Sequence, residues 1–312
     1  MLNALPKNQA AKPIELRKLN WSQWTGLVFI LPWLIGFAVF QLYPFLASLY
    51  YSFTNYSLLG KPVFTGFENF SRMFTTDPLF LNSLKVTAVY SLLAVPCKLA
   101  FALMVAMILN LKLRSINLYR TVYYMPSILG GSVAISVLWR VMFMREGLVN
   151  RLIGLVGLGP VDWLGDPNVA IFTISALQIW QFGSPMVIFL AALKQIPPEL
   201  YEAARVDGAG KIRQFFKVTV PMISSVIFFN LIMQFIQVLQ NFTSAFVITN
   251  GGPMKSTYVI GMKLYEDAFK NFKMGYASAE SWVLFIIILA LTLIVFKSSN
   301  YWVYYEDGGD KK

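Results

Sequence analysis

Tyr201-Glu-Ala-Ala-Arg-Val-Asp-Gly-Ala-Gly-Lys-Ile-Arg-Gln-Phe-Phe-Lys-Val-Thr-Val-Pro221 is a charged stretch set between two strongly apolar ones. Glu202 to Val206 reads as a short helix, because Ala, Glu and Arg lose little on entering one. Asp207-Gly208 is turn chemistry, with glycine free to take a positive φ. Lys211 to Val218 resumes helical spacing and puts Ile212, Phe215 and Phe216 on one face. A helical pair this small has no core of its own. Its Ala/Phe face calls for a partner.

The flanking composition says where that pair sits. The chain has 312 residues, 57% hydrophobic, 16% aromatic and only 13% charged, which is the profile of a multispanning membrane protein. A net charge of +11 could point to nucleic acid. The basic residues sit beside apolar runs, however, so membrane topology accounts for them and no nucleic-acid partner is expected. There is no histidine, and the one cysteine, Cys97, lies in an apolar run and reads as a small buried packing residue. Histidine catalysis, Cys/His metal sites and disulfides are excluded together. Gly60-Lys61 and Gly210-Lys211 lack the flanking residues of a phosphate-binding loop. The chain is read as no enzyme, with no cofactor of its own.

Six apolar runs reach the ~20 residues that a bilayer requires. They cover about 24–46, 82–109, 118–143, 169–193, 219–247 and 281–301. The first follows a basic tail and is too long and aromatic for a cleaved leader. Pro96 should kink the second. In the first connection, Phe67, Phe70, Met73 and Phe74 recur at helical spacing and suggest a short interfacial helix. Residues 144–168, rich in Gly, Pro and Asp, read as an extramembrane loop. Six spans put both termini on one side. That side collects fifteen Lys and Arg against ten opposite, Lys98 being the twenty-sixth and within a span. Both termini and the opening stretch are therefore expected in the cytoplasm.

The fifth run holds Asn230, Gln234, Gln237 and Asn241, spaced to stack four carboxamides along one helix face. In hydrocarbon such groups must face other helices or a water-filled cavity. Two readings stand, interhelical glue or a polar wall for an uncharged, hydroxyl-rich solute. The fourth run offers a matching set, Gln178, Gln181 and Ser184, with Trp180 for a sugar ring to lie against or simply for packing. Gly183 and Pro185 should interrupt that helix, as in broken spans near transport sites. Lys98 is a buried-charge candidate that could pair with Glu280 or a carbonyl, structural before functional, and Glu280 itself reads as interfacial.

Several segments together bring a resemblance. Glu202-Ala-Ala-Arg-Val-Asp-Gly-Ala209, continued to Pro221, closely resembles the EAA loop of ABC importer permeases. Gly66-Phe-Glu-Asn-Phe70, Tyr119-Arg-Thr-Val-Tyr-Tyr-Met-Pro126, Thr249-Asn-Gly-Gly-Pro253 and Gly275-Tyr-Ala-Ser-Ala279 look like the carbohydrate-uptake branch, with its maltose and glycerol-3-phosphate permeases. The resemblance covers about Trp24 to Tyr301. It lacks the large insertion and extra spans of the maltose permease, so the compact six-span form is expected.

The resemblance implies an all-α integral membrane fold of the ABC transporter type-1 permease kind, six transmembrane helices with a cytoplasmic coupling-helix loop. Residues 1–22 would be a cytoplasmic tail, 23–303 the permease domain (core about 82–302, coupling loop 194–221) and 304–312 a second tail. It assigns Glu202, Ala203, Asp207, Gly208, Phe215 and Phe216 to coupling with two ATPase subunits, which would hold the ATP and Mg. Further expected partners are a second, homologous permease in a heterodimer and an extracytoplasmic solute-binding protein delivering a carbohydrate. The expected location is the cytoplasmic membrane of a prokaryote. By similarity to the maltose permease, sugar contacts fall on the helices holding Gln181, Ser184, Gln234, Gln237 and Asn241. The residue types differ from that permease at most of these positions, Asn241 being a match, so a different sugar is expected. An importer of an acidic sugar or phosphate ester is the alternative, with Lys98 its one candidate cation. An ion-coupled carrier would need carboxylates in the spans, and a membrane enzyme a catalytic set; neither is there.

Overall fold

The structure is a computed structural model that describes residues 21–111 and 116–304. The basic tail, the Lys112–Arg114 loop and the last residues lie outside that description. The chain falls into two compact units divided after Tyr50. The first holds α1 (Trp21–Phe37), a π turn (Ala38–Leu42) and most of α2 (Tyr43–Ser52). From Val28 to Ser52 this run is apolar enough to cross a membrane, and its large side chains from Val28 to Leu46 are exposed.

The second unit opens with a short antiparallel pair, β1 (Thr54–Asn55) and β2 (Val63–Phe64), followed by α3 (Glu68–Thr75) and the long α4 (Pro78–Asn110). Asp77 starts α4, its Oδ1 accepting from the Leu79 and Phe80 amides, with proline at the first helical position. Then come α5 (Ile116–Leu129), α6 (Val133–Met142), α7 (Leu148–Leu155), α8 (Ala170–Trp180) and α9 (Gly183–Leu193). The charged stretch forms α10 (Pro198–Val206) and α11 (Lys211–Gln214), and a π turn (Phe215–Thr219) leads into α12 (Val220–Met222). The chain finishes with α13 (Ser224–Gln240), α14 (Thr243–Thr249), α15 (Ile260–Tyr265) and α16 (Met274–Trp302).

Among the described residues three helical runs are long and apolar enough to cross a membrane on their own, Val28–Ser52, α4 and α16, and three bent pairs bring the total to six if each is one span. The bends are the main departure from six straight runs. The third run breaks by 101° at Gly130-Gly131, where Ser132 caps the next helix by accepting from the Ile135 amide. The fourth breaks by 47° just before Gly183, as its Gly and Pro suggest. The fifth turns by 69° at Ile223 and ends at Gln240 rather than continuing to Val247. α4, by contrast, runs through Pro96 as one helix. The loop expected at 144–168 contains α7, held by Asn150, whose side chain bonds the Arg145 and Val161 carbonyls, the Val161 amide and the Trp163 indole.

Outward faces are apolar, with Leu92, Met104 and Ile108 on α4 and Ile286, Leu289 and Leu293 on α16 exposed. Lipid leaves no water to drive these helices together, so close packing has to. Ala94, Ala102 and Ala106 are fully buried on α4 and let α8 and α9 approach. A second apolar cluster joins α3, the start of α4, α15 and α16 through Met73, Phe80, Ile260 and Tyr276. α3 therefore turns Met73 inward and packs Phe70 on the protein, leaving Phe67 and Phe74 outside.

Candidate functional site

Proline at its first turn, Glu199 near its start and Arg205 near its end suit α10 to the helix dipole. The helix stops where Gly208 takes φ +75° and the Ala209 amide bonds back to the Ala204 carbonyl at 2.8 Å. Gln214 Nε2 donates to the Ala209 carbonyl (2.8 Å), and the Tyr201 and Thr219 hydroxyls pair at 3.0 Å, bracing the hairpin across its base. Glu202, Ala203, Asp207 and Gly208 are all exposed at its tip. So are the apolar Val206 (89%), Ile212 (77%) and Phe216 (63%). Phe215 and Phe216 touch edge to face, 4.9 Å between ring centres at the start of the π turn, yet they face different surroundings. Phe216 stays outside with Ile212, whereas Phe215 lines an apolar cavity of about 460 Å³ with Ala100, Leu103, Met104 and Met107 of α4.

The carboxamides part company in the folded chain. Asn230 is buried and donates to the Val226 carbonyl of its own helix. Gln234 is buried with Oε1 unpartnered, Gln237 is exposed, and Asn241 lies past the end of α13 in extended backbone. The four-residue stripe is thus not continuous. Gln181 closes a clasp between the two broken spans, its Nε2 donating to the Gly130 carbonyl at 2.8 Å. Ser127 Oγ donates to the Gln181 carbonyl and accepts from the Ser184 amide, each at 3.0 Å. A Cβ on Gly130 would overlap the Gln181 side chain, and one on Gly183 would meet Ser127 and the Tyr123 carbonyl. Ser184 itself is exposed, and Trp180 packs 6.0 Å from Trp139.

What the fold does unite is Gln178 of α8 with Asn241 after α13. The Tyr90 hydroxyl of α4 faces Ser244 and Gln178, and Ser244 donates to Asn241 Oδ1 at 3.1 Å. The Tyr90 hydroxyl and Gln178 Nε2 are buried without a closed hydrogen bond. Buried polar atoms seldom stay so unless water or a ligand completes them. Sequence reasoning passed over Tyr90, Ser127 and Ser244. The Gly130-Gly131 pair was the one visible signal for a bend there.

A third cluster ties the connections together. Lys263 Nζ lies 2.8 Å from Asp77, 2.7 Å from Asp267 and 3.1 Å from Glu280. Tyr276 donates to Asp77 Oδ2 (2.7 Å), and Asn271 donates to Asp267 (2.9 Å). Glu280 is therefore fully buried rather than interfacial, and its partner is Lys263, not Lys98. The three carboxylates are spaced as a cation would need, and the lysine fills the centre. Burial alone would lower Lys263, but Glu280, Asp267 and Asp77 outweigh it and hold the ammonium charged above the usual lysine range. Burial likewise opposes ionisation of Asp77, yet Lys263, Tyr276 and the Phe80 amide hold its carboxyl below the usual range. Lys98 is almost fully buried on α4 and enters none of the ion pairs among the described residues.

Comparison with known proteins places the chain in a family. Residues 89–304 match the family described as "Binding-protein-dependent transport system inner membrane component". The chain is 46% identical to the "Probable ABC transporter permease protein YesP" of Bacillus subtilis, covering 95% of this chain and 96% of that one. It is 34% identical to the lactose transport system permease protein LacF of Rhizobium radiobacter (88% and 94%). It is 32% identical to the sn-glycerol-3-phosphate transport system permease protein UgpA of Pectobacterium atrosepticum (88% and 94%). In fold it matches a chain of a bacterial ABC transporter involved in importing the acidic polysaccharide alginate, with TM-score 0.76 at 24% identity over 89% of this chain and 96% of that one.

Proposed function

Because the chain belongs to the family of binding-protein-dependent transport system inner membrane components, the permease subunits of ABC importers, we propose that it carries a sugar or oligosaccharide into the cytoplasm. A binding protein outside would hand over the cargo, and a second, homologous permease would complete the channel. Two ATPase subunits, holding ATP and Mg, would drive it. Both termini would face the cytoplasm, in line with the excess of Lys and Arg on that side.

The observation that carries this reading is the α10–α11 hairpin. It offers an exposed apolar tip, Val206, Ile212 and Phe216, on a braced turn, in a chain with no phosphate-binding loop of its own. A groove on an ATPase subunit would cover that tip, with Glu202, Ala203, Asp207 and Gly208 at the docking surface. Phe215, set against α4, would pass the motion of the ATPases into the membrane.

For the cargo, hydroxyls of a neutral sugar suit amides that both donate and accept. Gln178, Gln234, Gln237 and Asn241 supply these, Ser184 adds a hydroxyl, and Trp180 and Gln181 would shape the wall. Asn230, bonded to its own helix, serves packing. Replacing Gln237 and Asn241 together by alanine should remove about two hydrogen bonds, near 1 kcal/mol each. Apparent affinity for cargo, measured as uptake in cells, is then expected to fall roughly 30-fold, while ATPase stimulation by the binding protein persists. Unchanged uptake would make the amides glue.

One observation favours a second reading, an acidic sugar or phosphate ester. Lys98 is buried without an ion pair among the described residues, and the relative UgpA is named for a phosphate ester. If Lys98 meets an anion, Lys98→Gln should weaken uptake of acidic cargo roughly 10- to 100-fold and spare neutral sugars. Equal effects on both would return Lys98 to a packing role.

A further inference from the structure

Residues 53–77 join a helix ending at Ser52 to one starting at Pro78, and both belong to runs able to cross a bilayer. This joint therefore stands at the level of a membrane surface. It is also built rather than slack. β1 and β2 pair Thr54 with Phe64 and Asn55 with Val63. Asn69 Nδ2 donates to the Ser52 and Thr54 carbonyls, each at 2.9 Å. The Gly275 amide of α16 donates to the Tyr56 carbonyl at 2.9 Å, and a Cβ at Gly275 would overlap the Thr54 carbonyl. One side of the hairpin is thus fixed to α16.

The other side is apolar and bare. Leu59 (89% exposed), Phe64 (69%) and Phe67 (73%) are bare, Val63 is exposed on the opposite face of the strand, and the exposed Lys61 lies between Leu59 and Phe64 in sequence. Phe67 is held by edge and tilted contacts to Phe53 and Phe70, at 5.3 and 5.9 Å between ring centres. A rigid apolar patch of this kind marks a surface meant to be covered. Its chemistry, aromatic rings beside a lysine, is that of segments at the headgroup level of a bilayer. The docking face of a soluble partner would carry a more polar rim. α3 cannot supply this contact with its own apolar face, because Met73 and Phe70 are committed inward.

We propose that the β1–β2 hairpin, with Phe67, is a lipid anchor that sits in the headgroup layer of the bilayer, its rings toward the acyl chains and Lys61 toward lipid phosphates. The anchor would hold the start of α4 and α16 at a fixed depth. This inference rests on the membrane setting and is independent of the cargo.

The test uses the assembled transporter in vesicles of phosphatidylcholine and phosphatidylglycerol. Cys97, exposed on α4 rather than buried as its apolar run suggests, is first replaced by alanine, and Leu59→Cys or Phe64→Cys then receives a nitroxide. Accessibility to oxygen, which enters lipid, is compared with that to a water-soluble nickel chelate. Both labels are expected to meet more oxygen than nickel. Nickel equal to or above oxygen would put the hairpin in water, and exclusion of both reagents would put it under a protein partner; either overturns the anchor. Leu59 is exposed enough to carry the label without disturbing packing, so the test survives a poorly folded Phe64 variant.

Discussion

Lys263→Met should destabilise the protein by about 3–5 kcal/mol, because it leaves Asp77, Asp267 and Glu280 crowded together without their shared cation. Thermal unfolding in detergent measures this, and hydrogen exchange over 250–280 locates it. A melting temperature unchanged from the parent would remove the cluster from the stability of the fold. A second substitution, Glu280→Gln, should restore part of the loss by lowering the repulsion among the three. The pH dependence of the parent has a definite sign. Asp77 has its folded value depressed, so its contribution is present above the ordinary carboxylate value of about 4 and is lost as pH falls through the folded value. Lys263 has its folded value raised, so its contribution is complete below the ordinary lysine value and is lost only as pH rises through the folded one. Acid should therefore loosen this corner before mild alkali does.

Gly208→Val is expected to abolish uptake while the protein still assembles in the membrane. At φ +75° a β-branched residue is strained by roughly 1–2 kcal/mol, too little to unfold a chain of this size. Space is not the obstacle, since nothing lies within 4 Å of a Cβ built there. The turn itself must change, and with it the angle between α10 and α11 that presents Val206 and Ile212. Gly208→Asn, which tolerates the left-handed region, should keep most of the activity. Uptake by the valine variant at the parental rate, with ATPase subunits still co-purifying, would sink the docking role.

The two variants probe parts that differed in how plainly the residues announced them. The hairpin at 201–221 was readable because its cues are local: good helix formers, Asp207-Gly208, then apolar spacing. The six spans were readable because apolar length is a strong signal. Their bends were read only in the fourth run, where Gly183 and Pro185 mark the break. Gly130-Gly131 needed Gln181 from another span to explain it, and that contact crosses 51 positions of sequence. The carboxamide stripe was misjudged for a related reason. Ideal helical spacing carries Asn241 onto the same face as Gln237, but α13 ends at Gln240. Glu280 looked interfacial from its position at the end of a run, and only folding reveals that α15 delivers Lys263 to it. Long-range pairings of this kind leave no trace in periodicity.

The Ser127–Gln181–Gly130 clasp has a mechanical consequence. Two elbows, one in each of two neighbouring spans, are stitched at their corners by three hydrogen bonds and by glycines that leave no slack. Neither elbow can straighten without pulling on the other. Four helical segments are thereby tied at one shared joint, where the helix count alone suggests several.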